Sequence, residues 1–244
     1  MAQRSAHFHS GRFAVLRGMG VTPWTLVEST RVPGSGEEMR LLQRGADFSI
    51  RLGNIELMNS RAHSSEEQLA ALACAKIAGR PSPRCLVAGL GMGYTLRAAL
   101  DLLGPQARFT IAELVPAVIA WNRGPLAGLS GHALTDARVD LVEGDVADLI
   151  ASARSTYDAI LLDVDDGPED RPHGATDHLF KEPGLRAAHA ALRIGGVFAV
   201  WSPGPNTNFA PRLRKVGFAA EEHRVRSATG GGSRHVIWTA VRTS

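Results

Sequence analysis

Cysteine is scarce in this chain: only Cys74 and Cys85 occur among 244 residues. Each lies in an apolar stretch and nothing gives the pair ligand spacing. Neither a disulfide nor a cysteine metal site is expected, and both thiols read as reduced core residues. Long apolar runs are missing too. None approaches the roughly 20 residues that a membrane span needs, so no membrane partner is expected. The opening residues, Met1 to His7, lack the apolar core of a secretory signal, and a cytoplasmic location is expected. The formal net charge is only +3. Without a concentrated basic stripe, that does not point to nucleic acid. The richest basic segment, Arg212-Leu213-Arg214-Lys215, reads as a solvated face. Gly-x-Ser-x-Gly, Walker and His-Glu-x-x-His patterns are absent, which removes hydrolase, NTPase and zinc-protease chemistry. The Asp/Asn-Pro-Pro-aromatic pattern of adenine methylation is absent as well. No internal repeat or low-complexity tract is present.

What is there looks like an ordinary globular composition, with 44% hydrophobic and 21% charged residues. Residues 1–62 read as a small β module. Trp24–Ser29, Met39–Gln43, Phe48–Leu52 and Ile55–Met58 are short β-favouring pieces, separated by turn signals at Pro33-Gly34-Ser35-Gly36 and Gly53-Asn54. Residues 63–244 read as a second, nucleoside-binding domain. Ser64-Ser65-Glu66-Glu67 opens a helix, with Ser64 and Glu67 spaced as a capping box, and the helix runs to about Ala78. Strands are then predicted at Cys85–Ala88, Phe109–Glu113, Val139–Val142, Ala159–Asp163 and Gly196–Trp201. Helices are predicted after Tyr94, after Pro116, around Val146–Ser152 and around Phe180–Leu192. Such alternation makes a parallel sheet with helices on both faces. Phe218–Val225 and His235–Val241, flanking a glycine-rich turn, close the sheet as an antiparallel hairpin.

The residues that carry chemistry fall at the ends of these strands. Gly89, Gly91 and Gly93 form a turn between the first parallel strand and its helix, where backbone can approach a ligand closely. Glu113 ends the next strand, where a carboxylate accepts from ribose hydroxyls; its other reading is an exposed strand-end carboxylate. Asp145 can accept from an adenine amino group, or cap the following helix, or both. Asp163 ends the fourth strand, where open α/β sheets place catalytic groups. An acidic loop follows: Asp165, Asp166, Glu169 and Asp170. It lacks the full pattern of an EF-hand. His173 and His178 read as surface histidines, so no metal is expected.

Glycine turn, strand-end Glu113 and terminal hairpin together resemble the class I S-adenosylmethionine (SAM) methyltransferase fold. This is a Rossmann-like α/β fold with a mostly parallel seven-stranded sheet, here preceded by the small β module. Within it, Asp163-Val164-Asp165-Asp166-Gly167-Pro168 followed by Leu179-Phe180-Lys181-Glu182 resembles the spermidine synthase (aminopropyltransferase) family. So do Pro81-Ser82-Pro83-Arg84 and the N-terminal β module. The resemblance covers roughly residues 40 to 205. It implies a transferase of polyamine biosynthesis that uses decarboxylated SAM, or SAM, as donor to a small amine or polyamine, and a homodimer formed through the N-terminal strands. It also implies roles: Asp163 as general base, Asp166 as its loop partner, Gln68 near the nucleoside, Glu113 on the ribose and Asp145 on the adenine.

The sequence departs from that pattern in three places. Met92 stands where the family's glycine turn carries an Asp that grips the aminopropyl ammonium. Glu67 stands for a tyrosine of the diamine site. Val164 and Asp165 replace small hydroxyl residues. Losing a carboxylate at position 92 removes an attraction for the donor's ammonium and a repulsion against the carboxylate of SAM. In a partly desolvated pocket such a charge is worth about 1–3 kcal/mol, enough to reverse donor preference. A small-molecule methyltransferase, or an aminocarboxypropyl transferase, is therefore the alternative enzyme, and a non-catalytic nucleoside-binding homologue the alternative outside enzymes.

Overall fold

The computed structural model describes residues 22–164, 168, 177–226 and 232–244. It holds two sheets. The first is antiparallel, in the order β1 (Thr25–Arg31), β2 (Glu38–Arg44), β3 (Asp47–Leu52) and β4 (Ile55–Asn59). The short β-favouring pieces read from the sequence become these four strands.

The second sheet has seven strands in the order β10-β11-β9-β8-β5-β6-β7. Its parallel part consists of β5 (Arg84–Ala88), β6 (Arg108–Glu113), β7 (Val139–Glu143), β8 (Tyr157–Leu162) and β9 (Leu192–Ser202). β10 (Phe218–Arg226) and β11 (Arg234–Arg242) add the antiparallel hairpin. The chain runs outward from β5 through β6 to β7, then returns to β8 on the other side of β5. That reversal opens a crevice at the carboxyl ends of the strands, the place where α/β sheets bind ligands.

Buried alternation decides the layers. Cys85 and Val87 face one core, Leu86 and Ala88 the other; Ala159 and Leu161 oppose Ile160 and Leu162 in the same way. On the first face lie α1 (Ser64–Ile77), α2 (Tyr94–Leu102) and α3 (Pro116–Arg123). On the second lie α4 (Val146–Ser152), α5 (Glu182–Ala191) and α6 (Phe209–Lys215). Met39, Leu41, Phe48 and Ile50 of the small sheet belong to the first core, so one apolar interior runs through both sheets. Glu28 adds a polar tie between them, accepting from Trp121 Nε1 at 2.7 Å. Both cysteines are buried and unlinked. Among the described residues no helix is long and apolar enough to cross a membrane.

Three local readings are corrected. The capping box at the start of α1 does not form. His63 holds the N-cap position without a side-chain bond, and the Ser64 hydroxyl donates instead to the Arg226 carbonyl, 2.9 Å away in β10. The helix expected around Phe180–Leu192 is split: a 3-10 turn at Asp177–Phe180 precedes α5, whose first turn contains Pro183, a residue that suits a helix start and not its interior. α6 was not foreseen. Its run of basic residues looked solvated, but Phe209 and Leu213, one turn apart, are fully buried. The glycine-rich turn at 227–231 lies outside the described residues.

Candidate active site

The carboxyl ends of β5, β6, β7 and β8 converge on a cavity of about 210 Å³. Gly89, Gly91, Glu113, Gly144, Asp145 and Asp163 line it from the large sheet. Met39, Ile50, Leu52, Leu57 and Met58 of the small sheet form an apolar wall. The small sheet therefore encloses the site, and does not merely precede it in sequence.

Local chemistry fixes each group. Gly89 takes a φ of +84°, and a Cβ there would strike the carbonyl oxygen of Asp163. The glycine is needed because β5 and β8 lie side by side and their ends approach closely. At Gly91 (φ +51°) a Cβ would lie 2.7 Å from Met58 Cε, so the thioether of Met58 rests in the space the glycine leaves. Asn122 of α3 holds this turn in place, its Nδ2 donating to Gly91 O at 2.7 Å and to Val118 O at 2.9 Å. Gly93 immediately precedes α2, where it packs against Ser130; it does not line the cavity.

Glu113 is only 7% exposed, which removes its reading as an exposed carboxylate. The Leu90 N–H donates to Oε2 at 2.9 Å and the Val115 N–H to Oε1 at 2.8 Å. Burial pushes its carboxyl above the usual range, against the pull of these backbone donors. Each oxygen retains acceptor capacity, so the group is aimed and still able to receive hydroxyls. Asp145 caps α4, accepting from the Ala147 N–H at 2.8 Å, and also faces the cavity. Asp163 follows β8. Its N–H donates to Ala88 O at 3.0 Å, and the Thr95 hydroxyl donates to its Oδ2 at 2.5 Å. Thr95 is buried on α2. Sequence reading missed it, since a threonine after a glycine turn gives no signal until its partner is known.

The structure does not bring Gln68 to this cavity. Its amide donates to Ser64 O at 2.9 Å and Arg226 O at 3.1 Å, tying α1 to β10. Glu67 also points elsewhere, pairing with His63 at 2.9 Å on the outer side of the helix. The carboxylate on the inner side is Glu66. It lines a neighbouring cavity with Trp201 and His235. Met92 is 1% exposed and belongs to the apolar core, so no carboxylate approaches the site from that position. Asp166 and His173 lie outside the described residues, as does most of the acidic loop; His178 is exposed.

No family model matches the sequence. Over 123 residues, half of this chain, it is 32% identical to the polyamine aminopropyltransferase of Prochlorococcus marinus (strain MIT 9313), spanning 41% of that protein. Over 125 residues it is 28% identical to the polyamine aminopropyltransferase of Korarchaeum cryptofilum (strain OPF8), spanning 37% of it. The matched segment thus covers about two fifths of each relative's length. Among solved structures, the spermidine synthase of Thermotoga maritima superimposes with a TM-score of 0.69 over 89% of this chain and 72% of its own, at 20% identity. A spermidine synthase in complex with the transition-state analogue AdoDATO gives 0.68 over the same shares, at 19% identity. The precorrin-6y C5,15-methyltransferase of Geobacter metallireducens gives 0.52 over 71% of this chain and 88% of its own, at 18% identity. The fold is therefore that of spermidine synthases, within the wider class of methyltransferase folds. In sequence the chain is similar to polyamine aminopropyltransferases over half its length.

Proposed function

We propose that the chain is an alkyl-group transferase of the aminopropyltransferase kind. It takes decarboxylated SAM, or SAM, in the cavity at the strand ends and alkylates a small amine or polyamine. The observation that carries this reading is the arrangement of Glu113, Asp145 and Asp163 around one cavity beside the glycine turn. A nucleoside there would meet Glu113 at its ribose hydroxyls and Asp145 at its adenine, with the reacting carbon toward Asp163.

The sulfonium supplies a good leaving group, so alignment and proton removal are what remain for the protein. The amine lone pair attacks the carbon next to sulfur in line with the breaking C–S bond, and the bonding pair leaves with the thioether. The nitrogen then sheds a proton, and Asp163 is the acceptor we assign. Thr95 holds that carboxylate in position. Asp163→Asn is expected to abolish turnover while nucleoside binding, measured by calorimetry, survives. Retained turnover would remove Asp163 from the mechanism.

One observation favours a second reading, methyl or aminocarboxypropyl transfer from SAM itself. Met92 is a buried apolar side chain, and the donor's own carboxylate meets no repulsion from that position. Calorimetric titration with SAM and with decarboxylated SAM separates the two. Preference for the decarboxylated donor supports aminopropyl transfer. Preference for SAM supports the second reading, and the product mass then names the group moved. Binding of neither leaves a non-catalytic homologue.

A further inference from the structure

The glycine turn is gripped from both sides, and only one of the two grips faces the donor cavity. Glu113 takes the amide side. The Leu90 N–H donates to it at 2.9 Å, and the Gly91 N–H is a further backbone donor to its carboxyl. Asn122 takes the carbonyl side. Its Nδ2 reaches Gly91 O at 2.7 Å from α3, and Asn122 itself does not line the cavity. A bond of 2.7 Å from the Gly93 N–H to Leu90 O closes the turn. Both peptide planes flanking Gly91 are therefore fixed from outside. Gly91 needs this help. Its φ is +51°, and glycine loses more conformational freedom on being ordered than any other residue.

Asn122 is costly where it stands. It is 3% exposed, and Val118, Ile119 and Trp121 of the same helix are buried around it. Its amide nitrogen is spent on Gly91 O and Val118 O. Its Oδ1 has no hydrogen-bond partner among the described residues. That oxygen lies 3.2 Å from where a Cβ on Gly93 would stand, with Ser130 beside it. One amide thus meets two glycines: its nitrogen holds Gly91 and its oxygen lies against Gly93. A buried acceptor left unpaired costs free energy. Leucine has the same branching and no such oxygen, and leucines already fill this core. Stability does not account for the amide; the turn that it holds does.

We propose that Asn122 is a positioning residue for donor binding. It sets the glycine turn in its ligand-ready form before the donor arrives, so the cost of ordering Gly91 does not fall on the binding step. It acts through Gly91 and touches no substrate. The role rests on the alkyl-transfer reading for the identity of the ligand, and not for the ordering of the turn itself.

The test is Asn122→Leu in the full chain. Calorimetric titration with SAM, decarboxylated SAM and adenosine is combined with thermal melting and with amide exchange of the ligand-free protein. The variant is expected to bind the donor about tenfold more weakly than wild type. Adenosine lacks the tail that the turn underlies and should lose less than about threefold. Exchange of the Leu90 and Gly93 amides should quicken about tenfold. The melting temperature should not fall, because the orphaned oxygen leaves together with the nitrogen. Asn122→Asp keeps the shape and deletes the donor group, and should weaken donor binding at least as much. A residue that only supports the fold would instead lower the melting temperature and leave the folded protein's donor affinity alone. Donor affinity of Asn122→Leu within about twofold of wild type overturns the proposal. So does an equal loss for adenosine, which would mean that the whole pocket has deformed. If wild type binds neither donor, the alkyl-transfer reading fails instead. Exchange at the turn then decides the role of Asn122: quickened rates in Asn122→Leu support it, and unchanged rates overturn it.

Discussion

Asp163 and Glu113 illustrate two ways of preparing a carboxylate. Asp163 is held by a side chain, the Thr95 hydroxyl, at 2.5 Å; Glu113 is held by two backbone N–H groups. Removing the first tether is the gentler experiment. Thr95→Val keeps the shape and deletes the donor, and turnover should fall about tenfold with donor affinity unchanged. Loss of a hydrogen bond to the ionised form raises a carboxyl pKa. The acidic limb of the pH–rate profile should therefore move to higher pH, a shift that a purely structural threonine would not produce. At Glu113, substitution by Gln sets an amide NH₂ against one of the backbone N–H donors. Nucleoside affinity should drop by about 10- to 100-fold, the range for a hydrogen bond to a charged group. The pH dependence there has a definite sign. A carboxyl whose folded-state pKa is raised lowers stability while it is ionised, and the cost is relieved as pH falls through the raised value. Protonation also converts one acceptor oxygen into a hydroxyl. Acidification should thus weaken nucleoside binding while easing the strain on the ligand-free protein, and calorimetric titrations at several pH values check it.

At the scale of elements, the strands were legible and the helix faces were not. Cys85–Ala88 and Ala159–Leu162 are continuous apolar runs because both faces of those strands are buried, and a run of that kind announces itself. α1 was harder. Ser64-Ser65-Glu66-Glu67-Gln68 is polar throughout, so the first turn shows no phase. Only the pattern further on, with Ala70, Ala73 and Ile77 buried, extends back to Glu66 and fixes which carboxylate faces inward. Reading that spacing backward would have placed Glu66 on the cavity side and Gln68 away from it. α6 was hidden for a related reason: its charged residues dominate the sequence, while two apolar positions decide its burial. The same scale holds the main polar anchor of the sheet. Asp158, at the start of β8, is fully buried. It accepts from Arg80 at 2.5 Å, from the Arg84 N–H at 2.7 Å and from Arg193 at 3.0 Å. Asp158→Ala leaves both guanidinium groups able to reach water, so its cost should fall below the ~3–5 kcal/mol of breaking a sealed pair, at about 2 kcal/mol. Urea denaturation measures it.

For the whole molecule, the shared core of the two sheets makes them one cooperative unit. Trp24 precedes the small sheet, and the remaining three of the four tryptophans lie in the part of the chain that builds the large one. Unfolding followed by tryptophan fluorescence and by far-ultraviolet circular dichroism should give coincident transitions. Two separated transitions would mean that the small sheet melts alone. Donor binding should raise the single transition, by about 2.7 kcal/mol at a hundredfold excess over Kd, and should slow amide exchange in β2 and β3, which wall the cavity.

The two cysteines bring a practical benefit. Burial holds the Cys74 thiol up at about 12 and drives that of Cys85 well above its ordinary value, so neither supplies thiolate at neutral pH. Toward maleimides and aromatic disulfides the native protein is chemically silent, and both sulfurs should titrate only after denaturation. A single cysteine introduced at exposed Ile55 would then be the one reactive thiol in the folded chain. A dye placed there, on the strand whose Leu57 and Met58 wall the donor cavity, would report donor binding from the edge of the site, with no native cysteine replaced to clear the background.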